Sequence, residues 1–145
     1  MADENKNISL ISRVEVPVRF SEVDSLRVVW HGHFIKLFED GREAFGREFG
    51  LKYMDIFNNG YFAPIVNVKC DYKAFLTYED SAVVVTEYVD ALAAKILFKY
   101  TILKAATDEV VATGESAQVF LNTDKELILT MPQFFVDWKK SNGLL

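Results

Sequence analysis

Across residues 13–20 apolar and polar side chains alternate, with Val14, Val16, Val18 and Phe20 on one side and Arg13, Glu15, Pro17 and Arg19 on the other. A period of two is that of a half-buried β-strand, and Pro17, which has no amide proton to donate, is expected to leave it short of pairing. From Phe34 the period lengthens. Phe34, Leu37, Phe38, Gly41, Phe45 and Phe49 fall on one helical face, while Lys36, Glu39, Asp40, Arg42, Glu43, Arg47 and Glu48 fall elsewhere. That spacing predicts a helix of about four to five turns. Gly50 suits the left-handed position that ends it. Gly41 costs about 1 kcal/mol relative to alanine in a helix interior, and its place on the apolar stripe implies that a sheet approaches closely there.

The period of two then returns. Val66, Val68, Cys70 and Tyr72 alternate with Asn67, Lys69, Asp71 and Lys73, and strands follow at residues 82–89, 95–103 and 110–121, the last with Gly114 as a bulge or bend. The connections between them are short, as in an antiparallel meander. Near the end, Thr130 and Gln133 have the spacing of a capping box with Pro132 inside the first turn, and Phe134, Phe135 and Trp138 line one side of a short terminal helix. One strand, one long helix, at least four antiparallel strands and a small closing helix make an α+β fold with a single buried helix.

At 145 residues, half of them hydrophobic, the chain can bury one sizeable core, so residues 1–145 are expected to form one domain with residues 1–11 as a flexible N-terminus. The net charge of −5 leaves no broad basic surface for a phosphate backbone, which excludes nucleic acid as the main partner. The lone Cys70 allows neither an intrachain disulfide nor a multi-cysteine metal site, which fits a reducing cytoplasm. No secretory leader pattern opens the sequence and no apolar run reaches the length that crosses a bilayer, so a soluble protein without membrane insertion is expected.

The candidate chemistry lies in residues 20–34, FSEVDSLRVVWHGHF, which hold both histidines of the chain. Glu22 and Asp24 precede His31, Gly32 and His33 at the expected start of the long helix. Titratable groups therefore stand beside free amides and the positive end of a helix dipole, a setting that suits an oxygen gaining negative charge. A thioester needs little more than a base or nucleophile and donors for its carbonyl oxygen, because its leaving thiol departs easily. Alone, Asp24 reads as a turn residue. His31 and His33 could be zinc ligands, but they lie only two apart without a third ligand or a His-Glu-x-x-His spacing, so no metal is expected. Ser21 and Ser25 lack a nucleophile elbow and a downstream histidine. Cys70, on the apolar side of its strand, reads as packing.

Residues 19–34 resemble the signature of the 4-hydroxybenzoyl-CoA thioesterase branch of the hotdog superfamily: acid-x-Asp-x-x-Gly, two hydrophobics, an aromatic or histidine, two residues and a tyrosine. The resemblance extends more loosely from Val14 to about Leu121 and takes in Pro64-Ile65-Val66. It implies a hotdog fold, one long central helix wrapped by an antiparallel sheet, and a thioesterase that hydrolyses an acyl-CoA to the free acid and coenzyme A. Coenzyme A is then part of the substrate and no separate cofactor is implied.

By the same resemblance Asp24 is the catalytic base or nucleophile, His31 assists catalysis, and the amides of His31, Gly32 and His33 form the oxyanion hole. Glu22 matches the first, mostly structural acid. Arg27, Trp30, Phe34, Pro64 and Val66 are the substrate-binding candidates. Arg27 stands where the family has glycine and Phe34 where it has tyrosine; glycine at such a turn often supplies a positive φ or room for close approach, and arginine is not expected to supply either. Taken without the motif, Trp30 reads as packing. The resemblance also implies a homodimer, or a tetramer of dimers, paired along the strand at residues 62–75, with the pantetheine arm between subunits and phosphates near Lys69, Lys73, Lys95 or Lys99. Two other activities fit the same signals: a hotdog dehydratase or hydratase acting on acyl thioesters, and a noncatalytic acyl-thioester binding protein.

Overall fold

The computed structural model describes residues 9–145. Its elements are β1 (Ile11–Pro17), α1 (His33–Phe49), α2 (Tyr53–Asn58), β2 (Ile65–Tyr72), β3 (Ser81–Val89), β4 (Lys95–Lys104), β5 (Val110–Leu121), β6 (Leu127–Ile128) and α3 (Gln133–Ser141). The strands form an antiparallel sheet in the order β1-β3-β4-β5-β2, with β6 pairing β5. The sheet curls around α1, the hotdog arrangement implied by the sequence. Most of the expected flexible terminus, residues 1–8, lies outside the described residues; Leu10 is buried and Ile11 opens β1.

The apolar stripe of α1 is the core. Phe34, Leu37, Phe38, Gly41, Phe45 and Gly46 are buried, and Phe38 stacks on Tyr100 of β4 with ring centroids 4.3 Å apart. Burying a phenylalanine side chain of this kind contributes about 1.5–3 kcal/mol. A side chain at Gly41 would strike Thr86 and Val84 of β3, so the close approach expected from the sequence is the reason for the glycine. Gly50 ends the helix at φ 75° and donates to the Gly46 carbonyl. Trp138 of α3 donates its indole proton to the Phe49 carbonyl at 2.7 Å, which satisfies an orphan acceptor at the helix end. Lys139, 2% exposed, is held by Asp90 and the Ala91 carbonyl, each at 2.7 Å.

Several local expectations are corrected. Phe20 does not continue β1: the strand stops at Pro17, and Phe20 enters a 3-10 turn, Phe20–Glu22, where it is 75% exposed and edge-on to Tyr78. Gly114 is not a bulge, since it pairs in register with Tyr100 and Cys70; it is there because a Cβ would collide with the Phe38 ring and the Lys69 carbonyl. Pro132 is the N-cap of α3, not part of its first turn, and no side chain caps that helix. Helix α2 lies where only strands were expected; its start is marked by the Asp55 carboxylate, which accepts the Lys52 amide at 2.7 Å.

Strand β2 forms one edge of the sheet, with seven of its eight residues exposed and only Cys70 half-buried. Its alternation is real but its apolar members Val66, Val68 and Tyr72 remain open to solvent. Among the described residues no helix is long and apolar enough to cross a membrane.

Candidate active site

Between β1 and α1 the chain makes a very small hairpin. Val23 bridges Val29, the Asp24 amide donates to the Val28 carbonyl at 2.9 Å and the Arg27 amide donates to the Asp24 carbonyl at 2.9 Å. This is the bonding of a three-residue loop closed by a bulge residue in the left-handed region, a position that favours glycine. Arg27 occupies it at φ 67°. The expectation that arginine cannot supply a positive φ is thereby corrected: the turn keeps its shape, at a cost of about 1–2 kcal/mol for a residue carrying a Cβ.

The hairpin is tied down on both sides. Val29 donates to the Leu76 carbonyl at 2.8 Å and Trp30 to the Glu22 carbonyl at 2.9 Å, while one oxygen of the Glu22 carboxylate accepts the Arg19 amide at 2.7 Å. Asp24 sits at the start of this frame, half-buried. Its Oδ1 accepts the Leu26 amide at 2.8 Å; among the described residues Oδ2 has no hydrogen bond. One carboxylate thus shapes the turn with one oxygen and keeps the other free.

The turn leading into α1 sorts the amides. His33 donates to the Trp30 carbonyl at 2.9 Å and Phe34 to the His31 carbonyl at 3.2 Å. The amides of His31 and Gly32 have no acceptor among the described residues. Of the three sequence-predicted oxyanion donors, then, His31 and Gly32 are free and His33 is spent. Because a peptide unit is planar, fixing the Trp30 and His31 carbonyls also fixes the directions of the His31 and Gly32 amides, at the end of α1 where the helix dipole is positive.

Asp24, His31 and Lys73 border a cavity of about 430 Å³ whose apolar wall includes Phe34, Val28 and Val29. Leu26, Ala74 and Phe75 complete that wall, and Tyr72 spans from it to the helix start. The Tyr72 hydroxyl donates to the His31 carbonyl at 2.8 Å, and its ring meets those of His31 and Phe34 edge-on at 6.2 and 5.2 Å. Burial pushes the Tyr72 phenol and the neighbouring Cys70 thiol above their usual ranges, so both stay protonated near neutral pH.

The remaining sequence-predicted residues are elsewhere. The His33 side chain borders a separate crevice with Val16, Glu22 and Leu37. Trp30 lies over Gly32, where any Cβ would strike its ring, and packs between the two imidazoles at 4.9 and 5.6 Å. Arg27, Trp30, Pro64 and Val66 do not border the cavity. Of the four candidate lysines only Lys73 does; Lys69 pairs with Asp71 at 3.7 Å. Sequence reading missed Tyr72, Ala74 and Phe75 as site residues, because period-two alternation gives a strand's faces without saying which end of the strand meets the helix start.

A larger concavity of about 520 Å³ lies between the outer face of α1, helix α2 and the start of β2, next to Arg42, Arg47, Tyr53 and Ile65. It has neither an imidazole nor the leading amides of α1. Chemically, the smaller cavity is the better equipped: Asp24 with one oxygen unpaired among the described residues, His31 with its unpaired amide and its imidazole, and Lys73 border one apolar chamber, and the unpaired Gly32 amide follows next along the chain.

The sequence model of the thioesterase-like superfamily matches residues 18–139. A Bacillus subtilis (strain 168) protein carrying the provisional name acyl-CoA thioesterase YneP is 28% identical over 128 residues, 88% of this chain and 92% of that one. A DHNA-CoA thioesterase from Staphylococcus aureus superposes with a TM-score of 0.81 at 24% identity, covering 92% of this chain and 89% of its own. A 1,4-dihydroxy-2-naphthoyl-CoA thioesterase from Synechocystis does so with a TM-score of 0.78 at 18% identity, covering 88% and 94%.

Proposed function

We propose, from the premise that this chain belongs to the thioesterase-like superfamily, that it hydrolyses an acyl-coenzyme A at the cavity shared by Asp24 and His31. The observation that carries the reading is that one chamber is bordered both by Asp24, with its unpaired oxygen, and by His31, whose unpaired amide is followed along the chain by that of Gly32. The acyl group fills the apolar wall beside Phe34, with its carbonyl oxygen against those two amides. Asp24 acts as base on a water or as nucleophile on the acyl carbon; both routes require an ionised carboxylate. Negative charge then gathers on the carbonyl oxygen, where two preorganised amides and the helix dipole stabilise it. Collapse expels the coenzyme A thiolate, a good leaving group that needs no dedicated acid; by the base route the free acid forms directly from water, and by the nucleophilic route water then hydrolyses the mixed anhydride on Asp24 to release the acid and restore the carboxylate. The His31 imidazole assists at the same oxygen, and Lys73 offers a cation to an acidic acyl group or to a phosphate.

The exposed apolar residues of β2 support a homodimer formed by pairing this edge with its twin, since an open apolar edge is otherwise an aggregation hazard. Antiparallel pairing about a two-fold axis brings the start of one β2 beside the end of the other. Pro64 and Val66 of a second copy would then complete the chamber that their own chain does not reach. The test is release of free thiol from a panel of short, long, aromatic and hydroxylated acyl-CoAs, together with sizing in solution. Hydrolysis of at least one class by a dimer or larger assembly is expected. Failure to hydrolyse any member, or full activity as a monomer, would overturn the corresponding part of the proposal.

A further inference from the structure

We infer that Tyr72 is a positioning residue for this reaction: from the edge strand its hydroxyl sets the peptide units at the start of α1 that carry the oxyanion donors. The inference rests on the proposed thioesterase reading and deepens it. Three observations support it. The Tyr72 hydroxyl donates to the His31 carbonyl at 2.8 Å across 41 residues of sequence; the other contact of that oxygen, the Phe34 amide at 3.2 Å, is local and longer. The His31 carbonyl and the Gly32 amide belong to one planar unit, so whatever orients the first orients the second. The ring, wedged edge-on against His31 and Phe34, leaves the hydroxyl little freedom to swing away.

In the single chain Tyr72 is 48% exposed, and its hydroxyl has a specific acceptor that a phenylalanine could not engage. Its position at the end of β2 also makes it the mechanical link between the sheet edge and the site. Order imposed on that edge is transmitted directly to the turn holding the donors.

The experiment compares the full-length chain with Tyr72→Phe, which removes one oxygen and keeps the ring. On the best acyl-CoA of the panel, kcat is expected to fall about tenfold, the effect of one lost hydrogen bond on a donor array, while KM stays within about twofold. Amide hydrogen exchange gives a readout independent of turnover: the Phe34 amide, which shares the His31 carbonyl with the Tyr72 hydroxyl, exchanges faster in Tyr72→Phe, with the melting temperature nearly unchanged. An active wild type with kcat unaltered in Tyr72→Phe would overturn this inference and leave the thioesterase reading intact. A fall in melting temperature with kcat intact would likewise assign Tyr72 to structure alone. A wild type inert toward every thioester would sink the functional reading and this inference with it, even if the exchange difference were present.

Discussion

Replacing Asp24 with asparagine separates chemistry from architecture, because the two carboxylate oxygens have different duties. Asparagine keeps an oxygen that can accept the Leu26 amide, now bonded to the carboxylate at 2.8 Å, and changes the free oxygen into an amide nitrogen that can neither take a proton from water nor attack carbon. The turn bond weakens from charge-assisted to neutral, a loss of about 1 kcal/mol, or about 2–4 °C in melting temperature for a chain of this size. Loss of a positioned base or nucleophile costs about 100- to 10,000-fold in turnover, which is about 2.7–5.4 kcal/mol of barrier. The Asp24→Ala variant loses both duties and is expected to be equally inactive and less stable by a further 1–2 kcal/mol or so. Thiol release and thermal melting of the three proteins read out both effects. Asp24→Asn with wild-type turnover would rule out a catalytic role for this carboxylate, and Asp24→Asn melting as low as Asp24→Ala would trace its inactivity to a broken turn.

Three further substitutions follow from the packing and charge of the fold. Gly114→Val pushes a side chain into the Phe38 ring and the Lys69 carbonyl; overpacking of this kind costs about 3 kcal/mol, so the melting temperature should drop by about 6–12 °C, and an unchanged value would contradict the close approach. Arg27→Gly releases a left-handed residue at φ 67° and, after the entropy glycine adds to the unfolded chain, should raise stability by about 0.5–1 kcal/mol; a lower melting temperature would mean that the arginine side chain stabilises the turn. Burial, opposed by Lys36, holds the Asp40 carboxyl above its usual 3.8, so the folded chain binds that proton more tightly than the unfolded one and ionisation opposes folding. The penalty is absent below the usual value and complete above the raised one, so Asp40→Asn should melt higher than wild type at neutral pH, with the gain gone by about pH 3; a pH-independent difference would point to another cause.

The long helix was legible because its apolar stripe repeats over 17 residues and a glycine with positive φ closes it. Strands β3 and β4 were legible because buried and less buried residues alternate along most of each. Helix α2 was not, since six residues are too few for a 3.6-residue period and its Tyr53, Met54 and Phe57 are exposed in the single chain. Alternation in β2 identified a strand but could not say that its apolar side has no cover, which depends on sheet order. At the site, motif spacing brought Asp24 and His31 to one cavity with Phe34. It could not tell that the His33 amide is spent on the Trp30 carbonyl and that His33 borders a separate crevice, nor foresee that Tyr72 would reach the helix start from a strand 41 residues later.

The placing of the reacting thioester between Asp24 and the start of α1 is best checked by an experimental structure of Asp24→Asn, slowed enough to retain its substrate, with the best acyl-CoA bound. The thioester carbonyl oxygen is expected within about 3 Å of the His31 or Gly32 amide nitrogen, with the substituted side chain at position 24 facing the acyl carbon and the acyl group against Phe34. A thioester seated instead in the larger groove beside Arg42 and Tyr53, remote from the first residues of α1, would contradict it.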